Sequence, residues 1–187
     1  MQDKAAVRRL KRGDLEALAP LVEQFQVQAV RTAMLITRDR NVAEDVVQSA
    51  FVGLPRAIHT FDEGRPFAPW FLRIVARAAL QAARNSANVV EWPEGSEDGD
   101  ATLADTSSVL EELVEARELR AAIGQALQVL PPEQRAAIVL RYYLDMSESE
   151  MAAFFAVPPG TIKWRLHTAR QQLRALLHPE RKGVANG

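Results

Sequence analysis

The sequence contains no cysteine, which excludes disulfide cross-links and thiolate-ligated zinc and fits a cytoplasmic setting. Its three histidines, His59, His167 and His178, have no metal-ligand spacing among themselves, so neither a metal nor another cofactor is expected. No stretch approaches 18 uninterrupted apolar residues, and the opening segment MQDKAAVRRLKRGD has no apolar signal core. Membrane insertion and export are therefore not expected. There is no GxGxxG, no P-loop, and no paired-carboxylate or nucleophile constellation, so an enzyme is not expected. Strand-like alternation and internal repeats are also missing. What remains is helical periodicity from end to end, which predicts an all-α fold.

Charge divides the chain. The net charge is −1, yet residues 1–85 carry +4, residues 86–108 carry −6 without a single Lys or Arg, and residues 109–187 carry +1. The acidic tract SANVVEWPEGSEDGDATLADTSS has little periodicity and reads as a flexible linker. Two small helical domains are expected on either side of it, 1–85 and 109–178, with a frayed tail over 179–187.

In the first domain, residues 4–12 form a short basic helix ended by Gly13. Leu15, Leu18, Val22, Phe25, Ala29, Ala33 and Ile36 make an apolar stripe and predict a long amphipathic helix. After TRDRNVAED, where Asn41 can cap, a second stripe contains Val46 or Val47, Ala50, Phe51, Leu54, Ile58 and Phe61. Its opposite side holds Asp45, Gln48, Ser49 and Arg56. Gly53 and Pro55 are expected to kink that helix. FDEGRP is a loop, and Phe67, Trp70, Phe71, Ile74 and Ala78 open a third helix running to about Asn85. This helix carries Arg73, Arg77 and Arg84 but no acid, and its Trp70 and Phe71 are expected in the core.

The second domain should have four helices. The first spans 109–130, and Pro131-Pro132 then breaks the chain so that Pro132 opens EQRAAIVLRYYLDM. Ser147 and Glu150 form a capping box, Met151, Ala152 and Phe155 follow at helical spacing, and Val157-Pro158-Pro159-Gly160 is a break. The last helix has apolar positions Ile162, Leu166, Ala169, Leu173 and Leu176. This is a helix-turn-helix, the arrangement that seats one helix in the DNA major groove. At about 100° per residue, the side opposite Ile162 presents Trp164, His167, Thr168 and Gln171. Lys163, Arg170 and Arg174 flank one edge of that face and Arg165 the other. A polar face bordered by cations suits base edges with phosphates on either rim.

Three segments in order carry a resemblance: AEDVVQSAF at 43–51 followed by F-x-x-W-F-L-R-I at 67–74, the acidic linker, and LPPEQRAAIVLRYY running into GTIKWRLHTAR. Together they resemble the extracytoplasmic-function (ECF) class of bacterial RNA polymerase sigma factors over nearly the whole chain. The resemblance implies a promoter-specific initiation factor that binds core RNA polymerase and both double-stranded and melted promoter DNA, and that an anti-sigma factor holds in check. It implies a clamp-binding surface on Asp45, Gln48, Ser49, Val52 and Arg56, although the family usually has an acid where Ser49 stands. It implies −10 recognition and melting through the loop Asp62, Glu63, Gly64, Arg65 and the helix residues Arg73, Arg77, Gln81 and Arg84. Finally, it implies −35 reading by Lys163, Trp164, Arg165, His167, Thr168, Arg170, Gln171 and Arg174. The chain departs from the family pattern at Arg77 (usually Asn), Gln81 (usually Asp), Asn85 (usually Arg), Pro55 (usually Trp) and Ala156 (usually Gly). Those changes imply an unusual or relaxed −10 preference. They also keep open a second class, a sigma-like interaction protein or decoy that binds an anti-sigma factor without initiating.

Overall fold

The computed structural model describes residues 2–88 and 124–177. The expected linker beyond Asn88, most of the helix expected over 109–130 and the tail lie outside these residues.

The described residues form seven helices longer than a turn or two: α1 (Gln2–Lys11), α2 (Leu18–Thr37), α3 (Arg40–Ala57), α4 (Phe67–Asn88), α5 (Pro132–Tyr142), α6 (Glu148–Phe155) and α7 (Pro159–Leu177). A further helical turn covers 124–128. Helices α2, α3 and α4 pack on one another, with α1 laid against α2. Helix α5 packs on α7 and α6, and it also reaches back onto α2 and α4. One continuous apolar core therefore runs through both groups of helices.

The first group is assembled on aromatic rings. Phe25, Phe51, Phe61, Phe67, Trp70 and Phe71 lie with successive centroids 4.6–5.7 Å apart. Phe61 and Phe67 stand at the two ends of the loop 62–66, so its feet are fixed in the core. Phe71 is fully buried, whereas Trp70 is half-buried against the same cluster.

Several expected details shift. Residues Leu15–Ala17 form a 3₁₀ turn, so Leu15 is exposed and the buried stripe of α2 is Leu21, Phe25, Ala29, Thr32, Ala33 and Ile36. The N-cap of α3 is Asp39 rather than Asn41: its carboxylate accepts the Val42 N–H at 2.9 Å. That helix is uninterrupted at Gly53 and Pro55, continuing to Ala57 before a 3₁₀ turn at Ile58–Thr60. Both Val46 and Val47 are buried. In α4 the core face is Phe71, Leu72, Val75, Ala76, Ala79, Leu80 and Ala83, while Ile74 and Ala78 stand at its edge. The helix extends to Asn88, three residues beyond the expected domain end. Helix α5 begins at Pro132 as expected but stops at Tyr142, where the chain turns through Asp145 at φ +50°.

The turn of the helix-turn-helix is shorter than expected. The capping box is complete, with both Ser147 and Glu150 engaged. Ala156 takes the left-handed conformation at φ +52°, and the Val157 N–H donates to the Ala152 carbonyl at 3.1 Å. Pro159 is already the first residue of α7, a position where its missing N–H costs nothing. Ile162, Leu166 and Ala169 are buried and Leu173 is half-buried, but Leu176 is exposed.

Candidate nucleic-acid and polymerase interface

Asp45, Gln48, Ser49, Val52 and Arg56 lie at helical steps that confine them to about 100° of the α3 surface, and all five are exposed. Val52, 73% exposed, sits in the middle of this polar stripe. An apolar side chain surrounded by polar ones on an open helix face has the layout of a protein-docking anchor with a polar rim.

On α7, Trp164 is 60% exposed directly away from the buried Ile162. Lys163, His167, Arg170, Gln171 and Arg174 are exposed, and Arg165 and Thr168 are half-buried. Three of the expected cations are partly committed. The Arg165 guanidinium lies over the Phe155 ring at 4.9 Å, which braces α7 on α6, and Arg170 Nε donates to the Leu166 carbonyl at 3.0 Å. Lys163 stands 4.0 Å from Glu148. The remaining outward face is open.

The third set of residues is arranged differently. In the loop, Asp62 Oδ1 accepts the Gly64 N–H at 2.9 Å and the Arg65 N–H donates to the Asp62 carbonyl at 3.0 Å, a side-chain-stabilised turn. Glu63 is held by Arg8 and Lys11, which keep its carboxyl below the usual range, Lys11 having the larger effect. On α4, Gln81 Nε2 donates to Asn85 Oδ1 at 3.0 Å.

The arginines of α4 face the second group of helices. Arg73 Nη2 donates to Glu150 Oε1 at 2.5 Å, and Arg84 Nε donates to Glu133 Oε1 at 2.9 Å. Between them, the Arg77 guanidinium lies over the Phe154 ring at 5.2 Å, with Nη2 3.4 Å from the Phe154 carbonyl. Glu150 thus divides its two oxygens: Oε2 accepts from the Ser147 N–H and hydroxyl, and Oε1 accepts from Arg73. Its carboxyl is lowered to about 2, first by the Ser147 backbone and hydroxyl and then by Arg73. Nearby, Arg135 is buried with Arg38 as a neighbouring cation, and burial pushes it down to about 10.

The pattern of Sigma-70 region 2 matches residues 21–89, and that of Sigma-70, region 4 matches residues 120–173. RNA polymerase sigma-H factor of Pseudomonas aeruginosa is 30% identical over 184 residues, covering 95% of each chain. The chain belongs to the ECF sigma factors. The ECF RNA polymerase sigma factor SigW of Bacillus subtilis is 29% identical, covering 95% of this chain and 97% of its own. Among solved structures, the sigma factor RpoE of Bartonella quintana, in complex with the anti-sigma factor NepR, shares the fold. It has a TM-score of 0.62 at 21% identity and covers 87% of this chain and 97% of its own.

This sigma factor is therefore a transcription initiation factor that directs RNA polymerase to promoters. Its α7 and α3 surfaces bring together the residues expected from helical phase, and Val52, implied by the resemblance, falls on the same side of α3. The partners of the α4 arginines escaped the sequence reading. Glu133, Glu150 and Phe154 lie 49 to 77 residues away from them in the chain, and only the acid-free composition of α4 hinted that outside anions would be needed. Among the described residues, no helix is long and apolar enough to cross a membrane.

Proposed function

We propose that this sigma factor reads the −35 element with the outward face of α7 and docks on the polymerase clamp through the α3 stripe. The loop 62–66 and the arginine row of α4 then hold the melted −10 strand. The observation that carries this reading is the outward Trp164, flanked by His167 and Gln171 and exposed on a helix whose opposite side is core. Base edges specify sequence while phosphate contacts position, so those three residues select among −35 sequences. Lys163, Arg170 and Arg174 supply the sequence-independent part.

The domain assignment goes with it: a region 2-like unit over 1–85, an acidic linker over 86–108, a region 4-like unit over 109–178 and a tail over 179–187. In the described arrangement Arg73, Arg77 and Arg84 are engaged by α5 and α6, so contact with a −10 strand requires the two groups of helices to separate. The protein works in the cytoplasm without catalysis of its own. It takes an anti-sigma partner, as its Bartonella relative does in the solved complex.

Run-off transcription with reconstituted core polymerase on supercoiled promoter DNA tests the reading. Specific initiation that Trp164→Ala redirects among −35 variants supports it. Tight binding of an anti-sigma factor with no specific transcript from any promoter fragment would instead make the protein a decoy.

A further inference from the structure

Helix α1 precedes the segment that matches region 2, and none of the surfaces above uses it. It is not an idle cap. Val7 and Leu10 are buried in the core, and this anchoring aims the basic side of the helix at the loop 62–66. Lys11 Nζ donates to the Phe61 carbonyl at 2.8 Å and also lies 3.2 Å from Glu63 Oε1. Arg8 Nε donates to the other oxygen of the same carboxylate, Glu63 Oε2, at 3.1 Å. The ammonium additionally stands 6.0 Å from the Phe61 ring centroid. Two cations one helical turn apart thus grip both oxygens of one loop carboxylate and the carbonyl at which the loop begins.

We propose that Arg8 and Lys11 are positioning residues for −10 recognition: α1 sets the shape of the loop that receives the extruded promoter base. This rests on the reading of residues 62–66 as the −10 loop. Asp62 folds the loop internally, through its bond to the Gly64 N–H, whereas the contacts from α1 tie the loop to a neighbouring helix. A site that discriminates bases needs its donors held to a fraction of an ångström, and loops meet that requirement only when tied to a rigid element. The Arg8–Glu63 pair is exposed and the Lys11–Glu63 pair is half-buried at the surface, so neither contributes much to global stability and their structural consequence is local geometry. Glu63 is therefore a strut between helix and loop, and the tip that meets the DNA is Gly64 with the exposed Arg65, whose Nε lies 3.5 Å from Asp62 Oδ2. Lys11 itself is only 22% exposed and is not available to phosphates.

The test uses holoenzyme reconstituted from the full chain and core polymerase, on two promoter libraries randomised separately at −35 and −10. Glu63→Gln keeps the shape of the strut and removes its charge, and Lys11→Met keeps the packed stem and removes the ammonium. Each is expected to lower discrimination among −10 sequences on the order of fivefold to tenfold, the scale of one base contact, while −35 discrimination stays unchanged. Lys11→Arg should retain the wild-type −10 preference, and the exchange Lys11→Glu with Glu63→Lys should restore part of it. If Glu63→Gln and Lys11→Met instead lower yield from all promoters alike, in step with melting temperature, α1 is merely structural and the proposal fails. The loop itself is tested with Arg65→Ala and with Gly64→Ala, whose added Cβ would stand 3.2 Å from Asp62 Oδ1. If those loop variants change −10 preference and the α1 variants do not, only the proposal for α1 is overturned. If neither set changes it, the reading of the loop is wrong and the proposal falls with it.

Discussion

Replacing Glu150 with Gln separates the two tasks of one carboxylate. The amide oxygen can still accept the Ser147 N–H, so the capping box of α6 survives, whereas the charge-assisted bond from Arg73 is lost. A carboxyl lowered from 4.5 to about 2 corresponds, at about 1.4 kcal/mol per pH unit, to a ceiling of about 3 kcal/mol. The side chain is 41% exposed, and solvent screening reduces this to about 1–2 kcal/mol. The folded pKa lies below the unfolded one, so the stabilisation is fully present above about pH 4.5 and is lost as pH falls through about 2. Urea unfolding of both proteins at a series of pH values reads it out. At pH 7 the wild type should be the more stable by about 1–2 kcal/mol, and the gap should close between pH 4.5 and 2 as Glu150 becomes, like Gln, neutral. Asp14 and Glu63 are also lowered by their basic neighbours, but they are present in both proteins and cancel in the difference. A gap that stays constant down to pH 2, or no gap at pH 7, would refute the assignment of this carboxylate as charged and doubly bonded.

Three other outcomes are expected. Ala156→Gly should stabilise the protein by about 1 kcal/mol in thermal or urea unfolding, because Ala156 pays for a left-handed φ of +52° that Gly adopts freely. Ile162→Ala should cost about 2–5 kcal/mol, since the side chain is fully buried, whereas Trp164→Ala should change stability by about 0.5 kcal/mol or less and alter only −35 preference. Val52→Asp should leave the melting temperature nearly unchanged and weaken binding to core polymerase about tenfold in a competition titration, because it places a charge at the centre of the docking stripe.

Helical phase was legible wherever a helix buries a wide, uniform stripe. On α7 the spacing of Ile162, Leu166 and Ala169 fixed both the core side and the outward Trp164, and on α3 it fixed the exposed side holding Asp45, Gln48, Ser49 and Arg56. It failed where the backbone changed type. The 3₁₀ turn at Leu15–Ala17 advances the chain differently from an α-helix, so a stripe counted from Leu15 begins out of phase. On α4, alanines and large side chains share the core, and Ala76, Ala79 and Ala83 gave too weak an apolar signal to show that the face was centred one position later. Pro55 does not end α3: near a helix C-terminus one missing N–H is a local loss, and the surrounding burial of Phe51, Leu54 and Ile58 outweighs it. Least legible were contacts between distant segments. Nothing in the spacing of Arg73 or Glu63 names Glu150 or Lys11 as a partner, because long-range ion pairing depends on the tertiary arrangement and not on local periodicity.

The carboxylates of Glu133 and Glu150 occupy, against Arg84 and Arg73, the place that phosphate oxygens would take on the proposed −10 surface. Binding a DNA strand there is an exchange of one anion for another. Salt then acts on both sides of the exchange: it weakens the contacts to phosphate, and it also loosens the half-exposed pairs that compete with them. A free cation would contribute about 0.9 to the log–log salt slope for each phosphate it neutralises. For these two arginines the net dependence should be shallower. A count of phosphate contacts taken from the ionic-strength dependence of promoter opening would thus fall short of the number of arginines that touch the strand.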